Sequence, residues 1–160
     1  MRHAGSMALC IDKITGSRER NPMGNCLKVG ILGAGNIAGS MAEALNELQK
    51  EGKACAYAVA SRSQEKALEF ARKWNITRAY SSYEELASDP EVDLIYIATP
   101  HSLHYEQAKL CMEHGKNVLV EKAFTANARQ AEELFAMAEE KKVFITEAIW
   151  TRYMPSREII

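Results

Sequence analysis

An apolar run over residues 29–32 stops at Gly33. Gly35 follows two positions on, Ala38 three beyond that, and an amphipathic pattern begins at once. The order is strand, tight glycine turn, helix, and no other stretch constrains the chain as strongly. Each small residue answers a steric demand. Gly33 permits the unusual φ of the turn. Gly35 lets a pyrophosphate approach the main chain, since a Cβ would collide with it, and Ala38 lets the helix pack close to the strand. The first turn of that helix, from Asn36 and Ile37, offers unpaired amides and the positive end of its dipole to phosphate. In this setting G-x-G-x-x-A marks a dinucleotide site.

The rest of the chain bears on that reading. Strand-like segments at 27–32, 54–60, 79–80, 93–98, 117–121 and 143–147 alternate with helical patterns. The first helix turns Ile37, Met41, Ala44, Leu45 and Leu48 inward and ends near Gly52. Ser63 caps a second, with Ala67, Phe70, Ala71 and Trp74 inward. Ser82 and Glu85 make a capping box for a short helix that Pro90 breaks. A helix over 102–114 buries Tyr105, Ala108, Cys111 and Met112. The last, capped by Thr125 or Asn127, runs to Lys142 with Ala128, Ala131, Leu134, Phe135 and Ala138 inward. Such alternation predicts an α/β fold, a parallel sheet with helices on both faces. Six strands with the glycine turn after the first fit the doubly wound order 3-2-1-4-5-6.

Three segments follow from this pattern. Residues 1–26 do not share it and read as an N-terminal tail, with Met7 and Met23 as alternative starts. Residues 27–147 form the dinucleotide-binding domain. Residues 148–160 open something further, and Pro155 starts a helical turn without a body, so the expectation is a truncated chain. A net charge of -1 leaves no basic field for nucleic acid or an anionic membrane. No apolar run reaches membrane-spanning length, and only a short apolar patch follows Arg2 and His3, which argues against a signal peptide. Cys10, Cys26, Cys55 and Cys111 lack C-x-x-C spacing and read as reduced thiols of a cytoplasmic protein, with no disulfide frame and no metal site.

Four further stretches can carry chemistry. Ser61-Arg62 ends the second strand, where an NAD site would have an acidic residue for the ribose hydroxyls. A guanidinium there suits a 2′-phosphate, which favours NADP, with NAD as the alternative; a solvated surface Arg is the plainer account. Thr99-Pro100-His101, with His104, follows the fourth strand at the edge where ligands bind. Either histidine can contact cofactor or transfer a proton, or simply cap or pack at a helix start. Glu121-Lys122 ends the fifth strand on the same edge. Lys122 can reach toward the nicotinamide and a substrate hydroxyl, or else form an ion pair with its neighbour. Trp150, Arg152 and Tyr153 can line a pocket or fill a domain boundary.

Together these pieces resemble the Gfo/Idh/MocA oxidoreductases. The resemblance rests on Gly33-Ala-Gly-Asn-Ile-Ala38, Ala60-Ser-Arg62, Ala98-Thr-Pro-His101 with His104, Glu121-Lys122 and Glu147-Ala-Ile-Trp-Thr-Arg152, in that order. The last run is most similar to the dihydrodiol dehydrogenase and NADP-dependent xylose dehydrogenase branch. The resemblance implies a Rossmann half followed by an α/β half that supplies further catalytic groups and a homo-oligomer interface. It implies Lys122 as the catalytic lysine, and hydride transfer between NADP(H) and a sugar, polyol or diol. One departure stands out: the family usually has Glu-Lys-Pro, often after a cis bond, and here Ala123 replaces the proline. A cis bond before a non-proline residue costs about 3 kcal/mol, so the sequence leaves a trans bond or a costly cis one open.

Two other functions compete. A dinucleotide-binding sensor or interaction module without catalysis shares the glycine turn, but Lys122 and the Trp-Thr-Arg run favour the enzyme. A SAM-dependent methyltransferase is disfavoured, because the second strand ends in Arg62 and not in an acid. Without the second half, the chain is expected to bind NADP weakly or moderately and to turn over little.

Overall fold

The computed structural model describes residues 26–149. The N-terminal tail up to residue 25, and the expectations for Trp150, Arg152 and Tyr153, lie outside them. Six strands form one sheet: β1 (Leu27–Leu32), β2 (Ala54–Ala60), β3 (Arg78–Tyr80), β4 (Leu94–Ile97), β5 (Asn117–Val120) and β6 (Ile145–Glu147). Their order is β3-β2-β1-β4-β5-β6, with every pairing parallel. This is the doubly wound order expected from the glycine turn.

Alternation along the strands sorts the core into two layers. Val29, Ile31, Leu94, Tyr96 and Leu119 face α1 (Asn36–Lys50) and α2 (Gln64–Trp74). Leu32, Ile95, Ile97, Val118 and Val120 face α3 (Tyr83–Ser88), α4 (His104–Glu113) and α5 (Ala128–Lys141). β4 is buried at all four positions, as a central strand covered on both faces should be. Ser63 accepts from the Lys66 amide to cap α2, and the Ser82–Glu85 capping box forms at α3. Of the two candidates for α5, Asn127 is the cap.

The structure corrects several local expectations. The helix expected over 102–114 begins as a 3-10 turn, His101–Leu103, and turns α-helical only at His104. β6 starts two residues late: the helix ends at Lys142 in the left-handed region, and the Phe144 amide donates to the Asn117 side chain. Ile37 is 46% exposed, and Ala38 and Gly39 beside it are the residues of the first turn of α1 that are buried. Phe135 is 50% exposed and Ala128 is exposed as well. The fully buried contacts of α5 are Leu134 and Ala138, which leaves Phe135 on its flank, stacked on Phe124 at 5.3 Å.

A polar pin fastens the connection between α3 and β4. The ammonium of Lys116 is buried and donates to the carbonyls of Asp89 (2.6 Å) and Val92 (2.9 Å). Burial holds it below the ordinary lysine range. Asp89, also buried, accepts from Tyr80 Oη (2.8 Å), Arg78 (3.2 Å) and the Glu91 amide (3.0 Å). Burial alone would raise this carboxyl, but those donors and the Lys116 charge outweigh it and hold it below the usual carboxylate range.

Candidate cofactor site

The carboxyl ends of β1, β2, β4 and β5 gather the residues singled out in the sequence. At the first of them the two glycines do different things. Gly33 has φ +107, donates to the Ala60 carbonyl at 2.9 Å, and would bring a Cβ within 2.8 Å of the Ala98 carbonyl oxygen. The protein's own packing therefore demands glycine there. Gly35 is extended, and among the described residues nothing lies within 4 Å of where its Cβ would be. Space is open in front of it.

That space faces the start of α1. The helix has no side-chain cap and no acidic residue in its first turn, whereas α2, α3 and α5 are capped by Ser63, Ser82 and Asn127. Its first intrahelical bond runs from the Gly39 amide to the Gly35 carbonyl. The amides of Asn36, Ile37 and Ala38 precede it and by helix geometry lack an intrahelical acceptor. An open cradle at an uncapped, positive helix end fits the pyrophosphate of a dinucleotide.

After β2, the Ser61 amide donates to the Tyr80 carbonyl at 3.2 Å. Arg62 is exposed and its guanidinium has no hydrogen bond or ion pair among the described residues. A free cation thus stands at the tip of the strand.

The segment after β4 is built around a histidine. His104 is fully buried, with Nε2 2.9 Å from the Thr99 carbonyl and Nδ1 2.8 Å from the Ala123 carbonyl. Both partners are acceptors. A neutral ring donates to one of them, and only the doubly protonated ring donates to both. The Thr99 hydroxyl is turned inward onto Gln107 Oε1, so it does not face the ligand edge. Pro100 is exposed and accepts from the Leu103 amide. His101 is exposed, edge-on to His104 at 5.4 Å. Of the two histidines, only His101 is open to a ligand.

The segment after β5 is held from three sides. Glu121 donates its amide to Ile97, and its carboxylate accepts from the Tyr96 hydroxyl and the Lys122 amide. Burial, then the Glu121 carboxylate, push the Tyr96 phenol above its ordinary range, so it stays a donor. The Lys122–Ala123 peptide is cis, the geometry the alanine substitution had left open. Glu147, at the end of β6, accepts from the Phe124 amide at 2.9 Å. The Lys122 side chain is exposed and its ammonium makes no hydrogen bond or ion pair among the described residues.

Sequence reading placed these loops on one edge but missed what fastens them. Gln107 and Tyr96 carried no motif, Glu147 stood only at the head of the Glu-Ala-Ile-Trp-Thr-Arg run with no contact assigned to it, and the two carbonyl partners of His104 are not encoded locally. The one available hint was that Gln107 lies three residues after His104, on the inward face of α4.

Residues 27–148 match the model of an oxidoreductase family with an NAD-binding Rossmann fold, GFO_IDH_MocA. The chain is 43% identical over 133 residues to trans-1,2-dihydrobenzene-1,2-diol dehydrogenase of Xenopus tropicalis, covering 83% of this chain and 40% of that protein. It is 41% identical over 138 residues to D-xylose 1-dehydrogenase (NADP(+)) of Hypocrea jecorina, covering 81% and 35%. A solved 3-ketoreductase from Actinomadura kijaniata, crystallised with NADP, superposes with a TM-score of 0.76 at 31% identity over 84% of this chain and 42% of that one. The chain thus spans about 40% of the length of the dihydrodiol dehydrogenases it matches.

Proposed function

The chain belongs to the Gfo/Idh/MocA family of oxidoreductases, and from that premise we propose that it is the cofactor-binding part of an NADP-dependent dehydrogenase acting on a CH–OH group of a sugar, polyol or diol. One observation carries the reading: an open, uncapped glycine cradle shares a strand edge with two exposed cations, Arg62 and Lys122, that are unpaired among the described residues.

The residues divide the work. Gly33 shapes the turn, Gly35 clears the approach, and the amides of Asn36 and Ile37 bind the pyrophosphate. Ser61 and Arg62 receive the adenosine ribose and its 2′-phosphate, where a guanidinium makes charge-assisted hydrogen bonds. Thr99 and Pro100 set the path of the chain after β4, and His101 borders the cofactor. His104 and Glu121 are positioning residues, which fix the loops on either side of Lys122. When bound, the dinucleotide supplies the hydride acceptor or donor at its nicotinamide ring. Lys122 holds or moves the proton at the substrate hydroxyl oxygen. Trp150 and Arg152 belong to the same reading as pocket-lining groups.

The whole protein on this reading is a cytoplasmic homo-oligomer, joined through a C-terminal α/β domain after residue 148. Its similarity to a diol dehydrogenase and a xylose dehydrogenase supports the substrate class. Fluorescence titration of the chain with NADPH and NADH tests the cofactor assignment. Tighter binding of NADPH is expected. Tighter NADH, or no binding of either, overturns it.

A further inference from the structure

β1 and β2 also meet at the amino edge of the sheet, away from the glycine turn. The register there pairs Leu27 with Ala54 and Lys28 with Cys55. Cys26 lies two residues before Lys28, and residues two apart on an extended chain share a face. The Cys26 and Cys55 side chains therefore fall together, and their sulfurs are 2.7 Å apart. The pair is diagonal, since Cys55 stands opposite Lys28 and Cys26 lies two positions before it; diagonal neighbours on adjacent strands have Cα atoms about 7–8 Å apart, whereas a disulfide needs sulfurs at about 2.05 Å and Cα atoms about 4.4–6.8 Å apart. Cys26 lies just before β1 and outside the β1–β2 pairing, so a shift of its backbone toward Cys55 closes the remaining distance and leaves the strand ladder intact.

Both thiols are free, and they differ in access. Cys26 is half-buried and Cys55 buried, so one sulfur is reachable and the other sheltered behind it. Burial, and then the adjacent Cys26, push the Cys55 thiol up to about 12, so it keeps its proton while Cys26 reacts first. Cys111 is different: it is fully buried against the sheet on α4, and its core cluster holds no second cysteine among the described residues.

We propose that Cys26 and Cys55 are a redox-reactive pair that closes to a reversible disulfide when the chain meets a small-molecule disulfide such as glutathione disulfide. The Cys26 thiolate attacks one sulfur of glutathione disulfide, that S–S bond breaks, and glutathione thiolate leaves. The Cys55 sulfur then attacks the Cys26 sulfur of the mixed disulfide, and a second glutathione leaves, taking up the proton Cys55 gives away. The protein's two thiols lose two electrons, and one glutathione disulfide becomes two glutathione thiols. The bond spans a separation of 29 residues that contains β1, the glycine turn and α1. A crosslink across a loop of that length stabilises chiefly by restricting the unfolded chain, and it sits at the edge opposite the cofactor cradle.

The test is to incubate the native chain with excess glutathione disulfide, quench in acid, alkylate the remaining thiols and map the peptides. A peptide pair joining Cys26 to Cys55 is expected, with alkylatable thiols falling from the four of the sequence to two. The thermal midpoint should rise, and dithiothreitol should reverse both changes. Cys55→Ala should stop at a glutathione adduct on Cys26, and Cys10→Ser should leave the crosslink intact. Retention of all thiols, a Cys10–Cys26 peptide, or a crosslink between two chains would overturn the proposal. The mapping is read on the unsubstituted chain, so it does not depend on whether a variant folds.

Discussion

His104 Nδ1 and the carbonyl oxygen of Ala123 lie 2.8 Å apart, and through this contact a single buried ring joins the segment after β4 to the segment after β5. Its other nitrogen holds the Thr99 carbonyl at 2.9 Å. Removing the ring leaves two carbonyls without this donor group in the protein interior. His104→Ala should therefore lose on the order of 2 kcal/mol of stability, read as a lower midpoint in urea unfolding. An unchanged midpoint would mean that the two loops find other donors and do not need the clamp.

The two glycines of the turn should separate folding from binding. Gly33→Ala forces a side chain into the left-handed region against the Ala98 carbonyl, so it should lower the thermal midpoint as well as cofactor affinity. Gly35→Ala meets nothing within 4 Å among the described residues. It should leave the thermal midpoint close to that of the parent while NADPH binding falls at least roughly tenfold, through collision with the pyrophosphate. If Gly35→Ala bound NADPH as well as the parent, the cradle would be misassigned.

Arg62→Ala removes an exposed cation that has no protein partner among the described residues, so stability should stay within about 0.5 kcal/mol. Binding is another matter. Loss of a charge-assisted contact to the 2′-phosphate should cost about 1.5–3 kcal/mol for NADPH, and little for NADH. Parallel titration of both dinucleotides checks this. Equal losses for the two would remove the 2′-phosphate assignment.

Asp89 makes stability depend on acid. Its folded-state pKa is lowered, so its contribution is fully present above the unfolded carboxylate value, about 4, and is lost as pH falls through the lower folded value. Asp89→Asn should destabilise the chain at neutral pH by on the order of 1–2 kcal/mol, allowing for a half-exposed Arg78 partner. The difference in thermal midpoint between parent and variant should then narrow as the pH falls below about 5. A difference that stayed constant over that range would point to packing, not charge, as the cause.

Lys122→Ala bears on chemistry. The side chain is exposed and unpaired among the described residues, so circular dichroism and NADPH affinity should change little. In the full-length protein kcat should fall by at least roughly a hundredfold, the typical loss on removing a positioned acid or base. Unchanged turnover would take the proton-transfer role away from Lys122.

Much of this was legible without coordinates. The small residues at 33, 35 and 38, the strand before them and the helix after them specify a local geometry that depends only on neighbours in sequence. The alternation of apolar runs with helical periods then leaves few sheet orders, since parallel strands need a crossover and crossovers are right-handed. Capping at Ser63, Ser82 and Asn127 is local in the same sense, because the acceptor and its amide are three residues apart. What sequence could not supply lies between residues far apart in the chain. Helical periodicity shows that Leu134 and Phe135 lie near one stripe, but in the docked helix the first is buried and the second exposed. Spacing puts His104 near a ligand edge, yet only the packed fold brings it under Ala123, 19 residues away, and turns the Thr99 hydroxyl inward to Gln107. The pairing of Cys26 with Cys55 is of the same kind, set by strand register. Local pattern determines which elements form. Which buried donor meets which acceptor is decided by how those elements dock, because a hydrogen bond requires placement to within a few tenths of an ångström, and one-dimensional spacing does not carry that.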